Sequence, residues 1–209
     1  MQAGAESDWR QNSIYLVSLV VAFVGLINSY PSYWIVPRMG PFQPEIVRPL
    51  MLGAAVLVVT LKFSFAVGWA KNRPGLKSTG LALDLLILAV ISFALWRFSV
   101  DMLEMLDSMV IFEGSHAAIA LMASAAFIIL CWRVWGAALA IVGLVTLFYY
   151  FTGPYWPGIF RTAPFDILSS SAEDLWFNLG EGVVGGITAI LIFTAFPFVL
   201  LGAMLERTG

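Results

Sequence analysis

Charged residues are what this sequence has least of: 11 Lys and Arg with 13 Asp and Glu make up only 11% of 209 residues. Soluble domains carry about 25%, and a chain this poor in charge cannot clothe a water-facing surface. An ordinary soluble enzyme is therefore excluded. The single cysteine, Cys131, has no partner for an internal disulfide and stands in an apolar run, where it reads as a small packing residue. One histidine, His116, is too few donors for a zinc site, which takes three or four ligands. A net charge of −2 and a pI near 5.3 lack the basic footprint of nucleic-acid binders, so no nucleic-acid partner is expected. The chain also lacks a phosphate-binding glycine loop and a nucleophile with a base nearby. It offers no catalytic residue, no cofactor site and no metal site.

Apolar residues are what it has in abundance: 60% hydrophobic, 14% aromatic, with a mean hydropathy of +0.90. Runs long enough to cross a bilayer fall at about 14–31, 49–70, 79–99, 116–132, 135–151 and 184–205. Apolar side chains occupy all sides of these runs without alternation, and helices are the open-ended backbone that satisfies itself in lipid. The fold class expected is all-α: a polytopic integral membrane protein of about six transmembrane helices plus two short interfacial helices. The slightly acidic leader with Glu6, Asp8 and Arg10 does not suit a cleavable signal, so the first run reads as a retained anchor.

Lys71, Arg73 and Lys77 in the second connection, with no acid beside them, place that connection on the cytoplasmic side. Arg10, Arg133 and Arg207 then fall inside as well, while Arg38, Arg48, Arg97 and Arg161 fall outside among most of the acidic residues. Both termini are expected in the cytoplasm. Tyr30, Tyr33 and Trp34, then Trp69, Trp96, Trp132 with Trp135, and Tyr149 with Tyr150 stand at run ends, as interfacial anchors do. A stacking platform for an aromatic substrate is the alternative use of such rings.

Two outer segments have helical patterns of their own. From Asp101 to Phe112, Met102, Met105, Leu106, Met109 and Val110 share one side, and Asp101 with Glu104 form the opening of a capping signal. Beyond Pro154, Pro157 and Pro164, Ser171-Ala172-Glu173-Asp174 precedes Leu175, Trp176 and Leu179 on one face. Both are expected to lie on the outer membrane surface, where an extracytoplasmic partner could also dock.

Lys62 and Asp84 are the ionisable side chains well inside the runs, both in the inner half. A charge there costs several kcal/mol unless it is paired, so a structural ion pair between Lys62 and Asp84 is the first reading. A proton relay and a snorkelling Lys62 are its rivals. Arg97 and Asp101, four apart at the outer end of the third run, can pair on one helix face. His116 reads as a polar cap. Ala117, Ala118, Ala120, Ala123, Ala125 and Ala126, Gly136 with Ala140, and Gly182 with Gly186 permit close helix approach, while Pro197 predicts a kink in the last span.

The string Arg133-Val134-Trp135-Gly136, the run ending Tyr149-Tyr150-Phe151-Thr152-Gly153-Pro154, and Pro157-Gly158-Ile159-Phe160 resemble the junction of fused permeases of the tripartite ATP-independent periplasmic (TRAP) transporters, TAXI type. Glu181-Gly182-Val183-Val184-Gly185-Gly186 and the closing Phe196-Pro197-Phe198-Val199-Leu200-Leu201-Gly202-Ala203-Met204-Leu205-Glu206-Arg207-Thr208-Gly209 are similar to the same family. The resemblance implies a sodium-coupled transporter of organic anions delivered by a periplasmic binding protein. It implies a four-helix, small-subunit-like scaffold over 1–132, and over 133–209 a connector helix with the first helix of the large transporting part. The family's substrate and sodium sites would come after Gly209, so no residue here inherits them. Two roles follow: the scaffold portion of a transporter, partnered by the large permease part and the binding protein, or a truncated relative serving as a non-transporting accessory subunit among other membrane subunits. Lipids are partners in either case.

Overall fold

The computed structural model describes residues 2–29, 42–67, 77–164 and 166–208. Tyr30, Tyr33, Trp34, Arg38, Trp69, Lys71, Arg73 and Gly209, which the sequence marks as anchors, orienting charges or family positions, lie outside that set. Among the described residues every regular element is helical: α1 Gln2–Ser29, α2 Pro44–Lys62, α3 Lys77–Asp107, α4 Gly114–Trp135, α5 Ala137–Thr152, α6 Ile167–Leu175, α7 Gly186–Ile190 and α8 Phe196–Thr208. A π-helical turn over Leu191–Ala195 joins the last two into one rod, Gly186–Thr208. Among the described residues six rods are long and apolar enough to cross a membrane. The protein is thus an all-α, polytopic membrane protein.

Local chemistry sets the rod ends. Pro44 starts α2, where its missing N–H and fixed φ cost nothing. Glu113 and His116 form a reciprocal capping box at the start of α4. Gly136, at φ +87°, is the single residue between α4 and α5, and this left-handed conformation lets the chain reverse at once. The π-helical turn comes directly before Phe196-Pro197, where the sequence predicts a kink, because the proline ring supplies no backbone donor.

The two segments expected to lie on the membrane surface differ from expectation. α3 runs without a break to Asp107, so Asp101 is a buried residue within that rod and not the cap of a separate interfacial helix. At 31 residues α3 is about 46 Å long, more than the ~30 Å hydrocarbon layer. The second segment does form a short helix, α6, but it packs on α4 instead of lying flat on the surface. Ser171 and Ala172 of α6 are buried, as are Ala117, Ala120, Ala123 and Ala126 of α4. Small side chains on both sides allow this approach. Trp176 and Phe177, just beyond α6, complete a core with Ile87, Ile91, Ala94, Leu95 and Phe98 of α3.

Candidate functional site

α2 ends at Lys62, and the backbone groups freed there need new partners. Phe63 and Ser64 leave the helix, and a short turn resumes at 65–67. The interruption exposes carbonyls on one side and N–H groups on the other, and three neighbouring helices supply the missing partners. Arg10 of α1 donates to the Leu61 carbonyl. Arg133 of α4 donates through Nε to the Phe63 carbonyl at 3.0 Å and through a terminal nitrogen to the Ser64 carbonyl at 2.9 Å. Its guanidinium also lies over the Phe65 ring, 4.7 Å from the centroid.

The freed donors go to Asp84 of α3. Its carboxylate accepts from Ser64 Oγ at 2.6 Å, Phe65 N at 3.0 Å and Ala66 N at 3.2 Å. Asp84 therefore caps the resumed turn from another rod. Gly80, one helical turn before it, lets α3 come this close: a Cβ there would lie 2.8 Å from both Cα and N of Ala66.

This corrects the Lys62–Asp84 ion pair. Among the described residues Arg97 is ion-paired with Asp101, whereas Asp84 spends its oxygens on the break. Lys62 is exposed, with its ammonium 5.7 Å from the Phe63 ring centroid. The physical reason is the early end of α2. At the last position of a helix a lysine side chain reaches outward and meets the negative end of the dipole, so it needs no buried carboxylate.

A second polar cluster lies towards the other end of α3. Arg97 and Asp101 pair at 2.7 Å, and only 2% of the Asp101 side chain is exposed. His116 of α4 closes the group. Its Nδ1 accepts from the Glu113 N–H at 3.1 Å, which leaves the proton on Nε2, the nitrogen 3.6 Å from Asp101 Oδ2 and 3.3 Å from Arg97. Phe112 and Phe177 meet the His116 ring edge-on, and Phe177 stacks on Phe98 and Phe112. This cluster ties α3, α4 and the segment after α6 together. Sequence spacing points to the Arg97–Asp101 pair and the cap at His116 but not to their union, since nothing local links residues 101 and 116.

That segment is anchored deeper still. Trp176 is fully buried, and its indole N–H donates to the Ala94 carbonyl at 3.0 Å, 13 residues or about 20 Å from the C-terminal end of α3. Arg48, at the start of α2, holds the Leu179 carbonyl at 2.7 Å. Tyr150 of α5 donates to Asp174 at 2.8 Å.

The positions that carry the sequence resemblance do not converge. Arg133 serves the α2 break and Gly136 the α4–α5 turn; Gly153, Pro154, Pro157 and Gly158 lie in the loop after α5. Gly182 and Gly186 flank the start of the last rod, in which Pro197, Gly202 and Glu206 sit. Among the described residues no three His, Cys, Asp or Glu side chains are grouped so as to hold a metal ion. No family model, no curated protein and no solved structure matches the chain.

Proposed function

We propose that this chain is the membrane scaffold of a TRAP-type secondary transporter, carrying none of the transport sites itself. In that role it belongs to the bacterial inner membrane with both termini in the cytoplasm, and six crossings do return a chain to the side on which it began. Its partners are the large sodium-coupled permease part, which carries the organic anion, and the periplasmic binding protein that delivers it.

The observation that carries this reading is the α2 break. Interrupted helices in transporters use freed carbonyls to coordinate coupling ions. Here the carbonyls of Leu61, Phe63 and Ser64 are already held by Arg10 and Arg133, the protein's own fixed cations. Other polar groups inside the rods are likewise turned inward on the backbone: Thr60 Oγ1 donates to the Val56 carbonyl and Ser124 Oγ to the Ala120 carbonyl, each within its own helix. These contacts favour a rigid support over a conduit. In addition, no residue from Leu191 to Thr208 is buried, and this last rod packs on α1, leaving the rest of its surface for further membrane-embedded protein.

The test is purification of the tagged chain from its native membrane in mild detergent, followed by mass spectrometry. A large multi-span permease and a soluble binding protein support the proposal. Recovery with an unrelated membrane complex supports the accessory-subunit role instead, and recovery of the chain alone contradicts both.

A further inference from the structure

Three cationic side chains meet at the α2 break, and each stands at the corresponding end of its own rod. Arg10 is the second residue of the span Trp9–Asn28, and Arg133 comes two residues before the end of Gly114–Trp135. Lys62 closes α2, 19 residues or about 28 Å from its start at Pro44. A hydrocarbon layer is ~30 Å thick, so the three positions fall together at one membrane boundary. Exposed Trp9, Trp132 and Trp135 stand beside Arg10 and Arg133, as the indoles of an interfacial belt do.

Hydrogen bonds gather these cations around one short stretch of backbone. Arg10 is fixed on the Leu61 carbonyl and Arg133 on those of Phe63 and Ser64, with Lys62 between them in sequence. Neighbouring Cα atoms are about 3.8 Å apart, so Leu61 and Ser64 lie within about 11 Å of each other. The carboxylate at the break, Asp84, already takes Ser64 Oγ, Phe65 N and Ala66 N. Set against three cations, it leaves two positive charges uncompensated. Among the described residues no carboxylate pairs with Arg10, Lys62 or Arg133. Each arginine spends Nε and one terminal nitrogen on carbonyls, which leaves it a second terminal nitrogen, and the Lys62 ammonium has only the Phe63 ring nearby.

We infer that the α2 break is a binding site for the phosphodiester of an anionic phospholipid, with Lys62 supplying an ammonium and Arg10 and Arg133, held in place by the backbone, supplying a guanidinium edge each. Both donor types suit phosphate oxygens, the guanidinium through its planar fork and the ammonium as a mobile point charge. A lipid is the occupant because the cations end membrane rods beside exposed indoles, at the depth where a leaflet carries its phosphates, and basic pockets between spans recognise such headgroups. The bound phosphate offsets the surplus charge and ties α1, α2 and α4 together. This site does not depend on the transporter reading.

The test is melting of the purified full chain in mild detergent with dioleoyl phosphatidylglycerol, dioleoyl phosphatidylcholine or inorganic phosphate, with bound lipid counted by native mass spectrometry. A ligand of the folded state raises the melting temperature; phosphatidylglycerol should raise it by several degrees, and the other two by little. Lys62→Gln should melt like the parent without lipid and bind phosphatidylglycerol about fivefold more weakly, the effect of one near-surface cation. Lys62→Arg should bind it as the parent does, and so should Arg207→Gln, at an exposed position of α8. Equal shifts from the two lipids, or equal losses from Lys62→Gln and Arg207→Gln, overturn the site. Inorganic phosphate as effective as phosphatidylglycerol also overturns it and makes the break a soluble-anion site. The comparison of the two lipids on the parent chain decides the matter even where Lys62→Gln fails to fold.

Discussion

Asp84 and Ser64, twenty residues apart in sequence, are joined by a hydrogen bond of 2.6 Å at the point where α2 breaks. With Phe65 N and Ala66 N on the same carboxylate, this contact explains how an acidic side chain is tolerated inside a membrane bundle without an ammonium partner. Hydrogen bonds to a charged group contribute about 1.5–3 kcal/mol each. Asp84→Ala should therefore lower thermal stability in detergent by a margin larger than one such bond. Lys62→Met, at an exposed helix end, should stay within about 0.5 kcal/mol of the parent. A double variant that recovers stability relative to Asp84→Ala would restore the ion pair as the correct account.

Arg133 is a bridge between rods, with Nε and one terminal nitrogen on two different carbonyls. Lysine offers a point charge and cannot present this fork. Arg133→Lys should thus be destabilising, and Arg133→Gln more so, with losses on the order of 1–3 kcal/mol. Denaturation monitored by reactivity of Cys131, two residues away and partly buried, would read this region directly.

Glycines separate close approach from open space. Gly80→Ala would put a methyl group 2.8 Å from Ala66 Cα and N and 2.9 Å from the Phe65 carbonyl carbon, all backbone atoms that cannot swing aside. It should impair folding or expression markedly. Gly202, inside α8, has nothing within 4 Å of such a methyl, so Gly202→Ala should be neutral or stabilising by up to ~1 kcal/mol through helix propensity. Melting curves of the two variants in one detergent decide the matter.

Trp176 fixes the segment after α6 within the core. Trp176→Phe keeps a ring there but drops the bond to the Ala94 carbonyl, for an expected loss of about 0.5–1.5 kcal/mol. Trp176→Ala also opens a cavity between α3 and α4. It should cost more than the Phe variant and increase proteolysis after α6, which limited digestion would reveal.

Six crossing rods and the Arg97–Asp101 pair are legible in the amino-acid sequence because both are local: one depends on the length of an apolar run, the other on spacing along a single helix. The α2 break is not. No glycine or proline marks Lys62-Phe63-Ser64-Phe65, and the interruption is held from α1, α3 and α4. The signal present is a lysine followed two residues later by a serine, both out of place in an apolar run. The burial of Trp176 is equally hidden, since an interfacial helix and one packed into a bundle share the same amphipathic pattern. The continuation of α3 through Asp101 is masked by residues that also suit a helix start.

If the described helices form a support and not a path, the chain by itself moves no solute. Radioactive sodium uptake into proteoliposomes, driven by an inward sodium gradient and supplied with a panel of organic anions, addresses this most directly. The 209-residue chain alone should give uptake indistinguishable from protein-free vesicles. Anion-dependent sodium accumulation above that baseline would contradict the scaffold role.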